Sequence, residues 1–152
     1  MEHIAYYPLR KELDMQRKMD LVKAVLEYIE QNQVNDIPLS ASSIAIAGYD
    51  KEEIYHIIRL LDENELILVY ANDMNRLNKL PSCFMGSVNI FRLTNAGHDF
   101  LDNSRHKPEL WEAAKKVAGD SSLSVFSKIL EKLVVGSINV TLQSMGIPPI
   151  IV

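Results

Sequence analysis

Residues 48–67 read GYDKEEIYHIIRLLDENELI, and they hold a helix with a marked beginning. Asp50 is a short polar residue of the kind that caps a helix N-terminus. Glu53 stands three positions later, so the two form a variant of the capping box. Ile54, Ile57, Ile58 and Leu61 follow at i, i+3, i+4 and i+7, a single apolar stripe. This pattern predicts a helix from Asp50 to about Asn64 that buries one side. The use of its other side is the question on which function turns.

Upstream, Met15, Met19, Val22, Val25, Leu26 and Ile29 recur at helical spacing, with Lys18, Lys23, Glu27 and Glu30 opposite. An amphipathic helix over residues 15–32 is expected, followed by a connection through Asn32, Asn35, Asp36 and Pro38. The stretch IPLSASSIAIAGY is ambiguous. Ser40, Ser42 or Ser43 would cap a short helix carrying Ile44 and Ile46, with Gly48 ending it. Downstream, ELILVYA and SVNIFRLT have strand composition and flank a turn-rich segment. They predict an antiparallel hairpin of residues 66–71 with 87–93, placing Phe91 and Leu93 on one side and Ile90 and Arg92 on the other. Thr94 then caps a helix anchored by Phe100 and Leu101.

Helix, short helix, capped helix, strand, loop, strand, helix is the element order of a winged helix. The expected fold is mainly α with a small β-hairpin: a winged helix-turn-helix over residues 15–106, an N-terminal lead over 1–14, and a C-terminal helical extension over 107–152. In the extension, HKPELWEAAKKVAG is a helix opened by Pro108 and closed by Gly119. A second helix presents Leu123, Phe126, Leu130 and Leu133 on one face. GSINVTLQSMG fits either a continuation of that helix or a strand, and the prolines of IPPIIV exclude a helical tail.

Composition sets broad bounds. A chain of 152 residues, 47% hydrophobic and 24% charged, is that of an ordinary globular protein. One cysteine, Cys83, allows no internal disulfide and suits a reducing, cytoplasmic setting. The N-terminus shows no secretory signal, and no apolar stretch approaches a membrane span. The net charge of −4 counts against a generic polyanion binder, because nonspecific affinity for DNA comes mostly from cations on phosphates.

Two stretches carry a recognisable pattern: GYDKEEIYHIIRLLDENELI, and FRLTNAGHDFLDNSR with LWEAAKKV after it. The chain resembles a family of bacterial and prophage-encoded proteins known only as a domain of unknown function. In that family a Gly-Tyr precedes a capped helix ending in a GLI-type stretch, an LTxxGHDFLD segment follows the wing, and a Trp-bearing helix comes next. The corresponding residues are Gly48 and Tyr49, Glu65 to Ile67, Leu93 to Asp102, and Trp111. The resemblance implies a winged-helix fold and a regulatory role, with no ligand, cofactor or catalytic residue.

Two functions follow from different classes. In the first, the protein is a DNA-binding regulator, phage-associated, and Lys51, Tyr55, His56 and Arg59 on the outward helix face contact a major groove. Arg76 and Lys79 on the wing would reach a phosphate or minor groove, with Arg92 adding to the patch. In the second, the winged helix is a protein-interaction module without DNA binding, which the acidic balance favours. A continuous positive surface would mark the first, and carboxylates breaking it up would mark the second. His98 and Asp102 lie i, i+4, but two ligands do not make a metal site. No nucleotide, nucleophile or zinc motif is present, so no enzyme and no cofactor is expected. Apolar residues left over in 107–152, including Phe126, Leu130, Ile150 and Ile151, predict a homodimer through the C-terminal helices.

Overall fold

The isoleucine stripe is buried as its spacing requires. Helix α2 spans Lys51–Glu63 and turns Ile54, Ile57, Ile58 and Leu61 into the core. Its capping box is complete: the Glu53 amide donates to Asp50 Oδ1 at 2.8 Å, and the Asp50 amide donates back to Glu53 Oε1 at 3.4 Å. The computed structural model describes residues 2–34, 37–70 and 82–151, with side chains at 17–34, 37–70 and 84–151. The expected Arg76 and Lys79 of the wing, and Cys83 as a side chain, lie outside the described residues.

The chain is mainly helical with a small antiparallel sheet. Helix α1 runs over Glu2–Asn32, so it begins well before the expected start at residue 15. Strand β1 is Leu39–Ser40, β2 is Ile67–Tyr70 and β3 is Asn89–Leu93. Helices α3 (Asn95–Arg105), α4 (Pro108–Ala118) and α5 (Leu123–Ser144) follow. The sheet order is β1-β3-β2.

The expected hairpin of β2 with β3 is present, and it carries a third strand that the sequence did not announce. Leu39 pairs with Ile90 and Ser40 with Asn89. The short helix expected around Ile44 and Ile46 is not an α-helix. One 3-10 turn, Ala41–Ser43, takes its place, and no serine hydroxyl caps it. The physical reason is the new strand: pairing with β3 leaves this segment extended just before the turn, and the Ala41 amide donates to the Val88 carbonyl at 2.9 Å. Residues 44–47 then run without regular structure to Gly48, whose φ of 86° suits a residue lacking Cβ.

A second correction concerns the hairpin's faces. Ile67 pairs with Leu93 and Leu68 with Arg92, but Val69 pairs with Ile90, so Phe91 is an extra residue in β3. This β-bulge breaks the period of two. Ile90 and Leu93 are both buried, and Phe91 and Arg92 are both exposed.

Helix α2 ends in a Schellman motif. The Leu66 amide donates to the Leu61 carbonyl at 2.9 Å and the Glu65 amide to the Asp62 carbonyl at 3.0 Å. Glu65 takes the left-handed position at φ 58°, where glycine is ordinarily found. This exit is locked to the start of α3. Thr94 Oγ1 donates to the Glu65 carbonyl at 2.6 Å and accepts from the Gly97 amide at 3.1 Å, while the Thr94 amide donates to the Leu66 carbonyl at 3.0 Å. The LTxxG segment is therefore a corner in which Leu93 is buried, Thr94 caps α3, and Gly97 lies over the strand entry.

Contacts divide the chain into two compact units, with boundaries inside α1 after Gln16 and inside α3 after Leu101. The unit Arg17–Leu101 buries Val22, Val25, Leu26 and Ile29 of α1, the α2 stripe, Ile67, Ile90 and Leu93 of the sheet, and Phe100. In the unit containing residues 102–152, α4 packs against α5. Trp111 and Phe126 meet edge to face at 5.1 Å, and both are buried. The α5 face drifts from the expected Leu133, which is half-buried, to the buried Val134. The undecided GSINVTLQSMG continues α5 as far as Ser144, and Gly146 at φ 73° ends it.

Candidate interaction surface

The outward side of α2 is a mixture of signs. Lys51, Glu52, His56 and Glu63 are exposed, and Tyr55, Arg59 and Asp62 are half-buried. Lys51 Nζ donates to the Ser42 carbonyl, which ties its ammonium to the 3-10 turn. Tyr55 lies toward the 3-10 turn Ser82–Ser87 that precedes β3, because a Cβ added at Gly86 would meet its hydroxyl at 3.5 Å. His56 is held below its ordinary pKa, first by partial burial and then by the cations Lys18 and Arg59, with Glu63 opposing. Charges of both signs, Lys18 of α1, Glu63 and Arg59, thus act on His56. The sequence had put Lys18 on the polar side of α1 but could not show that this side comes near α2.

The N-terminal end of α2 is occupied by its own side chains. Glu53, which closes the capping box, also pairs with Arg17 of α1 at 3.2 Å. The Arg17 guanidinium lies 4.2 Å from the centre of the Tyr49 ring and donates to the Gly48 carbonyl, and the Tyr49 hydroxyl donates to the Arg17 carbonyl at 3.2 Å. Hydrogen bonding to Glu53 raises the Arg17 pKa further. Glu53 is therefore balanced by a cation, and Glu52 is the exposed carboxylate of that first turn. A shallow groove of about 270 Å³ runs beside it, lined by residues 44–47, Tyr49, Lys51 and Ile54.

The hairpin has an outer face that the sequence misassigned. Leu68 is 44% exposed, Tyr70 52% and Phe91 39%, and exposed Arg92 is paired with Leu68 across the strands. Only a bulge places Phe91 there, and no period in the sequence announces a bulge. His98 and Asp102 are exposed on α3, and among the described residues no group of three His, Cys, Asp or Glu side chains is placed to hold a metal.

A family described as a hypothetical protein, DUF2513, matches residues 16–124. The chain belongs to the DUF2513 family. The match covers the whole of the unit from Arg17 to Leu101, then α4 and the first two residues of α5. It therefore includes the capped helix, the Thr94–Gly97 corner and Trp111, the segments on which the resemblance rested. No curated protein and no solved structure matches the chain. The DUF2513 description names no ligand. No helix among the described residues is long and apolar enough to cross a membrane.

Proposed function

We propose that this DUF2513 protein is a winged-helix module that binds another protein, and that it works in the cytoplasm as a homodimer. The observation that carries the reading is where the charge sits. The unit Arg17–Leu101 contains eight Lys and Arg against twelve Asp and Glu, a net −4, which is the net charge of the whole chain. The unit that would face DNA is thus the acidic one. On α2 itself, Glu52 and Glu63 interrupt the cations. Duplex DNA needs a cationic footprint, and a protein partner does not.

DNA binding is the second reading, as a phage-associated transcriptional regulator. The cations Lys51 and Arg59 on the outward side of α2 favour it, since local cations can contact phosphate despite an acidic whole. A gel-shift titration with random duplex DNA at low and moderate salt separates the two. We expect no retardation of the DNA by wild-type protein, and none by Glu52→Gln. Retardation that weakens with salt, and a sequence preference relaxed by Arg59→Ala, would establish DNA binding instead.

The dimer rests on residues 107–152. From Leu133 to the end the chain carries no charged side chain, and Val140, Met145, Ile147, Ile150 and Ile151 are exposed. Asn139 holds the tail against α5, donating to the Ile150 carbonyl at 2.9 Å and accepting from its amide at 2.7 Å. A charge-free face is its own complement under twofold symmetry, and a stable pair buries on the order of 2,000 Å². Light scattering at tens of micromolar should give twice the chain mass, reduced to one by Ile150→Glu. A strict monomer for the wild type removes the dimer.

A further inference from the structure

We infer that the outer face of the β2–β3 hairpin is the docking site, and that it takes a protein segment bearing a carboxylate among apolar side chains. The inference rests on the protein-binding reading above and names its surface and partner. Strict alternation would have sent Phe91 to the side away from Arg92. The bulge opposite Leu68 and Val69 turns it outward instead, beside Arg92. Leu68, Tyr70 and Phe91 stay between 39% and 52% exposed, although the same small sheet completely buries Ile90 and Leu93. Bulges recur where a side chain must be re-aimed toward a functional surface. The exposed Tyr70, Phe91 and Arg92 are also of the residue types enriched at the centres of interfaces.

Charge selects the partner. Among the described residues the hairpin gives this face Leu68, Tyr70, Asn89, Phe91 and Arg92, so these carry one cation and no carboxylate. Arg92 Nη1 donates to the Leu93 carbonyl at 3.2 Å, which anchors the guanidinium and leaves its remaining donors to a ligand. A carboxylate ringed by apolar groups would pair with that guanidinium while covering the aromatic side chains. A second copy of the chain does not fit, because a twofold axis through the face would set Arg92 against its own image. A nucleic acid strand could stack on Tyr70 and Phe91, but it would approach a unit of net charge −4 with one arginine to receive it.

The test is selection of random twelve-residue peptides on the full-length protein, with affinities of the enriched peptides then measured by fluorescence anisotropy. The enriched peptides should carry Asp or Glu beside Leu, Ile, Phe or Trp. Their affinity should fall at least tenfold on Phe91→Ser and on Arg92→Glu and stay unchanged on Glu52→Gln. Leu68→Ser serves in place of Phe91→Ser if the latter melts lower than the wild type. Enriched peptides that bind Phe91→Ser and Arg92→Glu as well as the wild type would overturn the assignment of the face while leaving the protein-binding reading standing. Failure to enrich any peptide overturns the inference. So does binding of a twenty-residue oligothymidine that Phe91→Ser abolishes, or a self-association that the same substitution breaks.

Discussion

Gly97→Ala is expected to destabilise the protein by about 3 kcal/mol, as overpacking against immovable atoms does. A Cβ built at Gly97 falls 2.1 Å from the Leu66 carbonyl oxygen and 3.1 Å from its carbon. These are backbone atoms, and they are held in place from several sides. The Leu66 amide is tied to Leu61 in the Schellman motif, its carbonyl accepts from the Thr94 amide, and the Glu65 carbonyl accepts from the Thr94 hydroxyl. Making room for a methyl group would pull α3 off the strand entry and break the corner that joins α2, β2, β3 and α3. Alanine's better helix propensity returns only about 0.5–1 kcal/mol. For a chain of this size the melting temperature should fall by roughly 6–12 °C. Gly136→Ala is the matching control. It is also a helical glycine, but nothing lies within 4 Å of its added Cβ, so that variant should gain about 0.5–1 kcal/mol. Equal effects from the two substitutions would show that the corner is not the constraint on Gly97.

What could be read from the sequence was local. The capping box of Asp50 and Glu53 and the isoleucine stripe lie within one helix, so their spacing alone predicts cap and buried face. Thr94 as the cap of α3 is equally local. The failures in the sheet are set by partners distant in the chain. Residues 37–49 have serines and isoleucines that suit a short helix, but Leu39 and Ser40 pair with β3 some fifty positions away. Phe91 changed sides because its register is fixed by β2, and a bulge is a property of the pair. Leu123, Phe126, Leu130 and Leu133 follow a 3.5-residue count, whereas a straight helix has 3.6 residues per turn and buries Val134 instead. The candidate surface was legible only in part for the same reason. Lys51, Tyr55, His56 and Arg59 share the outward side of one helix, but the approach of Lys18 and the outward turn of Phe91 are tertiary facts.

The other large effect is expected in the unit that contains α4 and α5. Phe126→Ala should cost about 4 kcal/mol, the middle of the range for deleting a buried aromatic side chain. Phe126 is 1% exposed and lies edge to face with Trp111, an arrangement that adds about 0.5–1.5 kcal/mol to simple burial. Leu123, Leu130 and Val134 are buried on the same side of α5, and Ala114 and Ala118 are buried on α4. Small alanines let the two helices approach closely, so little side chain is available to collapse into the space a lost ring would leave. Phe126→Leu keeps most of the volume and should cost about 1 kcal/mol. Trp111 is the chain's one tryptophan, so its fluorescence during urea unfolding reports on this helix pair. The midpoint for Phe126→Ala should fall well below that for Phe126→Leu, with an unchanged slope. A loss under about 1 kcal/mol for the alanine variant would mean that the α4–α5 pair does not depend on its aromatic contact. The proposed dimer adds a second reading of the same experiment. Phe126 is buried within the protomer, unlike the exposed Val140, Met145, Ile147, Ile150 and Ile151. Phe126→Ala should therefore lower stability at every protein concentration, whereas Ile150→Glu should act by making the unfolding midpoint independent of concentration.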